Sequence, residues 1–201
     1  MKKILPLFSY IFHPLFIPAM ATSVYFLFGI SNFRVEEITI ILTQIITLTI
    51  FIPIVFYLFL RSTGKVDSIM IPNIDQRKIP LLLQCFIIIL LVQKSITIER
   101  YPELHFFFLG ALLSTLTALV SLFFNIKVSL HMLAVSSLTV FVFGLNIHHQ
   151  ANAIYMVVFF VISTGFVASS RLEMKAHSPK ELLIGLLIGS ISQLLLLFLW
   201  L

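Results

Sequence analysis

The chain has 201 residues, of which 60% are hydrophobic and only 10% are charged, and its formal net charge is +5. Soluble domains contain about 25% charged residues, and a soluble fold of this length leaves too much surface in water to bury so much apolar material. The composition therefore excludes an ordinary soluble protein and predicts a single transmembrane domain over residues 1–201. In this setting the basic charge indicates membrane topology and anionic ligands, not nucleic acid.

Apolar runs of the length that a membrane-spanning helix needs, about 20 residues, recur along the whole chain. They predict an all-α fold, a polytopic transmembrane helix bundle with six to seven spans. The third run contains Lys94 and is expected either to span the membrane or to form a short, half-inserted helix. The predicted spans are, in chain order, 7–30, 38–60, 80–98, 104–124, 130–147, 153–169 and 182–201.

The first run begins like a secretory signal peptide, with two lysines before an apolar stretch and then Ala19-Met20-Ala21, which resembles a cleavage site. His13, Pro14 and Pro18 interrupt that stretch, and the apolar pattern continues beyond it. We therefore expect a first membrane helix that is kinked at its prolines. For His13, a structural role at the kink is the favoured interpretation, and a place at the edge of a cavity is the alternative.

The loops between the predicted spans alternate between two faces of the membrane, and the basic residues concentrate on one face. The positive-inside rule assigns this face to the cytoplasm. Ten basic residues lie there: Lys2, Lys3, Arg61, Lys65, Arg77, Lys78, Lys127, Arg171, Lys175 and Lys180. Three lie on the other face: Arg34, Lys94 and Arg100. Four of the ten lie in the candidate-site segments discussed below: Arg77, Lys78, Lys127 and Arg171. Without these four, the bias is still six to three.

Small residues at helical spacing predict close packing between helices. One stripe consists of Gly110, Ser114 and Ala118, and Gly185 and Gly189 form a GxxxG pattern. Such residues let helix backbones approach each other in lipid.

The remaining histidines and the single cysteine are expected to be structural. Cys85, the only cysteine, lies in an apolar run, which excludes an intramolecular disulfide and predicts a small buried hydrophobe. His105, His148 and His149 fall on the face opposite the basic one. A pair of histidines that could ligate haem at mid-membrane is not evident from their spacing.

The most informative polar segment is 170–185, which joins two predicted spans. Arg171 can clamp two phosphate oxygens, and His177 can act as a nucleophile or proton carrier near neutral pH. Glu181 can accept the ring N–H of His177, and the helix that follows would point its positive dipole end at an anion. A structural interpretation is equally supported, because Ser178-Pro179-Lys180-Glu181 is a helix-capping sequence.

Two further polar segments reach the same membrane face. Lys127-Val128-Ser129-Leu130-His131 lies between the fourth and fifth spans, and Asp75-Gln76-Arg77-Lys78-Ile79-Pro80 precedes the third. A lone histidine near a helix end is more often structural, and adjacent cations usually flank a membrane. Three polar clusters on one face nevertheless favour a functional site.

These segments resemble the three signatures of the type 2 phosphatidic acid phosphatase superfamily. The third signature is Ser-Arg, five residues, His, three residues, Asp, then a glycine; segment 170–185 keeps this spacing, with Glu181 in place of Asp. The second, Pro-Ser-Gly-His, is similar to Val128-Ser129-Leu130-His131 at its Ser and His. The first, a lysine followed after six residues by Arg-Pro, is represented by Arg77-Lys78-Ile79-Pro80. The whole chain looks like a compact group of bacterial membrane proteins in that superfamily.

The resemblance implies a lipid phosphatase that hydrolyses a phosphate monoester or diphosphate on a lipid through a phosphohistidine intermediate. It implies that His177 is the nucleophile, that Glu181 orients it, and that His131 protonates the leaving alcohol. The phosphate-binding residues that it implies are Arg171, Arg77, Lys78 and Ser129. It also implies no metal or other cofactor, membrane lipids and a lipid phosphate or diphosphate as partners, no nucleic acid, and a bacterial inner (plasma) membrane.

Two departures from the family pattern support an alternative. Leu130 replaces the glycine that lets the backbone approach phosphate, and the upstream lysine of the first signature is absent. A non-catalytic member with these changes would bind an anionic lipid or a partner membrane protein.

A transporter would instead need broken helices that meet at mid-membrane, whereas these polar clusters lie at the rim. Many family members are thought to act on the outer side of the membrane, whereas the charge count assigns this site to the inner side. Neither the lipid nor the oligomeric state follows from the sequence.

Overall fold

The computed structural model describes residues 5–29, 32–67 and 73–201, and these ranges contain eight α-helices and no β-strand. The helices are, in chain order, α1 (Leu5–Ile11), α2 (Ile17–Phe28), α3 (Val35–Ser62), α4 (Lys78–Lys94), α5 (Pro102–Phe123), α6 (Leu130–His148), α7 (Ile154–Glu173) and α8 (Pro179–Leu197). Lys2, Lys3 and the middle of the predicted 61–79 loop lie outside the described residues.

Five of these helices, α3, α5, α6, α7 and α8, are long and apolar enough to cross a membrane. Large apolar side chains remain exposed on their outer faces, including Val55, Phe159 and Leu195. Lipid solvates such a surface, whereas water would penalise it. The predicted all-α class is confirmed, and the protein has the features of a helical membrane protein.

The first and third predicted spans differ from the structure. Residues 7–30 do not form one kinked helix, because α1 ends at Ile11 and α2 begins at Ile17. Pro14 lacks the N–H that would continue the helix, and it disfavours helical backbone at His13. The third run forms α4, whose 17 residues end at Lys94 and do not extend to residue 98.

Helix α3 contains a π-turn at Thr47–Phe51, just before Pro53. Pro53 cannot donate a hydrogen bond to the preceding turn, and the wider π-turn accommodates this loss. Beyond this point α3 exposes most of its outer side chains, and its inner side forms a wall of the cavity described below.

Helix α6 is the central helix of the bundle. Every residue from Met132 to Leu138 is buried, and α2, α5, α7 and α8 pack around the helix. Because α6 is enclosed on several sides, the residues at its N-terminal end are held close to the ends of its neighbours.

The GxxxG pattern brings α8 against α6. A Cβ atom at Gly185 would lie 2.5 Å from the carbonyl oxygen of Ser129, and a Cβ atom at Gly189 would collide with the carbonyl oxygen of Leu133. The packing role predicted for these glycines is therefore confirmed. The approach also sets the N-terminus of α8 beside the start of α6, where the Ser129 N–H donates to the carbonyl of Glu181 at 3.2 Å.

Helix α1 packs on the C-terminal half of α7. The hydroxyl oxygens of Ser9 and Ser170 are 2.6 Å apart, and the rings of Phe8 and Phe166 stack with centroids 4.6 Å apart. These contacts hold the break between α1 and α2 next to the end of α7 that carries Arg171.

Candidate functional site

A cavity of about 780 Å³ opens among the helices. Most of its wall is apolar and comes from α2, α3, α4, α5 and α6. Two arginines and three histidines also line it, and we call them the polar cluster: His13, Arg77, His131, Arg171 and His177. They come from the α1–α2 break, the turn before α4, the start of α6, the end of α7 and the α7–α8 loop.

His177 and Glu181 form the closest pair at the site. The Nδ1 atom of His177 lies 2.5 Å from Oε2 of Glu181. Ser178 caps α8 by accepting from the Glu181 N–H at 3.3 Å, with Pro179 in the first turn, so the predicted cap is present. The Glu181 carboxylate itself binds His177. Because the carboxylate can only accept a hydrogen bond, Nδ1 of His177 is the donor and carries the proton. In the neutral ring, Nε2 therefore keeps its lone pair.

The surroundings of His177 favour its neutral form. Burial, together with the positive charges of Arg171 and Arg77, lowers the pKa of His177 to about 4, although the hydrogen bond with Glu181 acts in the opposite direction. Its imidazole side chain is only 4% exposed. A neutral imidazole with a free lone pair is the form that acts as a nucleophile.

Arg171 is a buried cation near the end of α7. The residue is 5% exposed, and its Nε atom has no hydrogen-bond partner within the part of the chain that the structure describes. One terminal nitrogen is 3.8 Å from the sulfur of Met174, which is a weak acceptor. None of the ion pairs among the described residues includes Arg171, so its charge is open to an anion in the cavity.

Arg77 reaches the cavity from the short turn that precedes α4. It is 8% exposed, and one terminal nitrogen donates to the carbonyl of Val128 at 3.3 Å. This contact joins the first polar segment of the sequence to the second, 51 residues later. The predicted convergence of Arg77 with His131, Arg171 and His177 is present.

His131 sits in the first turn of α6, and its Nε2 atom lies 3.2 Å from the carbonyl oxygen of Ser9. Since a carbonyl only accepts, Nε2 carries a proton and Nδ1 has the lone pair in the neutral ring. The ring of His13 lies beside it, edge to face, with the centroids 5.1 Å apart.

Lys127, which the sequence placed in the second polar segment without a role of its own, lies beside the pair formed by His177 and Glu181. Its Nζ atom lies 3.8 Å from the Glu181 carboxylate and 3.4 Å from the carbonyl oxygen of Ala176, to which it donates. In the sequence Lys127 had the pattern of an ordinary membrane-flanking charge, and no local signal distinguishes it from one.

Two residues of the family pattern, Lys78 and Ser129, lie differently from the expectation. Lys78 does not line the cavity: its Nζ atom pairs with Asp75 at 2.7 Å and lies 5.2 Å from the ring centroid of Phe123. Ser129 is fully buried outside the cavity lining, and its hydroxyl has no partner among the described residues. Leu130 forms part of the cavity wall. The geometry therefore does not support the phosphate contacts expected of Lys78 and Ser129.

The three remaining histidines do not line the cavity. His105 contacts the carbonyl oxygen of Ile96 at 2.6 Å, and His148 and His149 lie 3.4 and 3.7 Å from Glu103. Cys85 is buried, as predicted. Among the described residues, no group of three or more His, Cys, Asp or Glu side chains is placed to hold a metal ion.

Chemically, the polar cluster combines an oriented, neutral imidazole with two guanidinium groups at one side of an apolar cavity. Guanidinium groups bind phosphate oxygens in pairs, and an imidazole lone pair can attack phosphorus.

No family model, no curated protein and no solved structure matches this chain.

Proposed function

We propose that this protein is a lipid phosphatase of the inner membrane of bacteria, a member of the type 2 phosphatidic acid phosphatase superfamily with six to seven membrane spans. The observation that carries the proposal is the buried guanidinium of Arg171, which lines one cavity together with the oriented imidazole of His177. A buried cation is costly unless an anion compensates it, and the substrate phosphate would do so.

The proposed reaction transfers the phosphoryl group to His177. Nε2 attacks phosphorus while Arg171 and Arg77 neutralise the charge on the phosphoryl oxygens. In the free protein His131 has one ring proton, on Nε2, which the Ser9 carbonyl accepts. In the proposed step His131 takes up a second proton on Nδ1 when the substrate binds and gives that proton to the leaving oxygen as the P–O bond breaks. Water then hydrolyses the phosphohistidine and returns a proton to Nδ1 of His131. Glu181 holds the imidazole in the attacking tautomer and stabilises the positive charge that the ring acquires. Positioning and charge neutralisation are what phosphoryl transfer requires of a protein.

The proposed substrate is a phosphate monoester or diphosphate of a lipid. Its phosphate would meet the polar cluster, and its apolar part would lie against the wall formed by α3, α4, α5 and α6. A substrate that reaches the cavity from the bilayer keeps its apolar part out of water throughout.

The test is phosphate release by the purified protein from phosphatidic acid, lysophosphatidic acid and a prenyl diphosphate in detergent micelles. Spontaneous hydrolysis of phosphate monoesters is extremely slow, so any release above background is enzymatic. We expect His177→Ala to abolish release and His105→Ala, at the opposite end of the bundle, to retain it. Equal release by the wild-type protein and His177→Ala would refute the phosphohistidine mechanism.

A second candidate function is the binding of an anionic lipid without turnover. It is favoured by Leu130 in the cavity wall and by Lys78, which binds Asp75 and does not line the cavity. This function predicts that the wild-type protein binds phosphatidic acid in an Arg171-dependent manner and releases no phosphate from any of the three lipids.

A further inference from the structure

His13 also lines the cavity, although it lies outside the three segments that resemble the family signatures. It lies in the break between α1 and α2, beside Pro14. The Phe16 N–H donates to the His13 carbonyl at 2.8 Å, which closes the turn. The packing of α1 on α7 then brings the imidazole to the polar cluster.

Backbone contacts determine which nitrogen of His13 carries the proton. The Leu15 N–H donates to Nδ1 of His13 at 3.3 Å, so Nδ1 is an acceptor. The proton of the neutral ring is therefore on Nε2. A second proton would have to sit on Nδ1, opposite the Leu15 N–H, so the turn favours the neutral ring with one N–H donor.

That donor is available to a ligand. Nε2 of His13 has no hydrogen-bond partner in the part of the chain that is described. The neighbouring His131 differs, because its Nε2 is engaged by Ser9 and only its Nδ1 remains. The two rings, 5.1 Å apart, therefore differ in the nitrogen that a protein group engages: Nδ1 in His13 and Nε2 in His131.

We propose that His13 is an anion-binding residue of this site, which donates a hydrogen bond from its neutral Nε2–H to an oxygen of the bound phosphoryl group. This rests on the proposed function for the identity of the ligand. The His13 donor would replace the phosphate contact that was expected of Lys78, which binds Asp75 instead. A neutral donor aimed at an oxyanion stabilises it without adding a third cation beside Arg171 and Arg77.

Two substitutions separate this role from a structural one. His13→Asn keeps an oxygen at the position of Nδ1, where it can accept from Leu15, but lacks the Nε2 donor. His13→Gln places an amide N–H near the position of Nε2 but loses the Nδ1 acceptor. We expect His13→Asn to lower kcat/KM for phosphatidic acid by about 10²–10³-fold, and His13→Gln to stay within about tenfold of the wild-type value.

The second measurement is the Kd for orthovanadate, a phosphoryl-group mimic, by calorimetry in detergent. We expect vanadate binding to weaken in His13→Asn and to be largely restored in His13→Gln. If His13 only holds the turn, the order reverses, with His13→Asn close to the wild-type protein and His13→Gln impaired. That reversed order, or no change in either variant, would overturn the proposal.

The two proposals fail in different ways. If the wild-type protein binds vanadate in a His13-dependent manner but releases no phosphate, the catalytic function fails and the anion site stands. If phosphate release depends on His177 but neither His13 variant changes it, the role of His13 fails and the catalytic function stands.

Discussion

Arg171 is the side chain whose surroundings are hardest to reconcile with a role in membrane topology alone. A topogenic arginine extends its head group to the membrane surface, because a buried charge costs several kcal/mol. Arg171 is instead 5% exposed and lines a cavity that also contains Arg77. Two buried cations that face one cavity are stable together only if an anion is present or polar contacts compensate them, and this is why we propose an anionic ligand for the site.

His177 supplies a prediction about pH. Its pKa is lowered from 6.5 to about 4, chiefly by burial. The unfolded chain takes up a proton near 6.5 and the folded protein does not, so the contribution of His177 to stability is present above pH 6.5 and is lost as the pH falls toward 4. We expect the ¹⁵N signal of the His177 ring, assigned with His177→Ala, to titrate with a midpoint near pH 4 in phosphate-free buffer. A midpoint at pH 6 or above would contradict the burial of this imidazole.

At the scale of helices, the close approach of α8 to α6 determines the geometry of the site. Gly185 lies about two helical turns after His177 and packs against the backbone of Ser129, which is two residues before His131. The N-terminal end of α8 also carries Glu181, whose backbone carbonyl accepts a hydrogen bond from the Ser129 N–H. The packing of two helices therefore controls the distance between the proposed nucleophile and the proposed proton donor.

Gly185→Ala tests this dependence. The added methyl group would meet the Ser129 carbonyl oxygen, so the helices must separate, and we expect a loss of about 1–3 kcal/mol in stability together with reduced phosphate release. Gly165→Ala is the matched control, because no atom lies within 4 Å of the added Cβ. It should raise stability by about 0.4–1 kcal/mol through the unfolded state. Thermal unfolding in detergent measures both, and equal melting temperatures would show that the contact is not tight.

At the scale of the whole molecule, the helices separate two polar ends. The polar cluster lies at one end, and a second group of ion pairs lies at the other, where Arg100 binds Glu37 at 2.6 Å and Glu103 faces two histidines. The basic residues are more numerous at the end that carries the polar cluster. By the positive-inside rule we expect this end to face the cytoplasm.

Cysteine labelling tests this orientation. In a Cys85→Ser background, Glu173→Cys and Glu99→Cys each place one exposed thiol at opposite ends of the bundle. We expect a membrane-impermeant maleimide to label Glu99→Cys in intact cells, and Glu173→Cys only after permeabilisation. The opposite pattern would place the polar cluster on the outer side of the membrane.

The sequence alone determined the membrane class and most of the helices, because the length of an apolar run and the number of charges in it act locally. It also predicted the pairing of His177 with Glu181, since residues four apart meet at a helix start. The prediction of one kinked helix over residues 7–30 was wrong, because a pattern of hydrophobicity does not show whether a proline bends a helix or ends it.

Only the tertiary structure decided which cations meet. Arg77 and Lys78 are adjacent in sequence, yet Arg77 lines the cavity, whereas Lys78 binds Asp75 and does not line it. His13 and Lys127 joined the site through contacts with elements far away in the chain. Such contacts depend on how helices pack. The GxxxG pattern at Gly185 and Gly189 predicted a close approach, but it does not specify which helix approaches or which distant side chains that packing brings together.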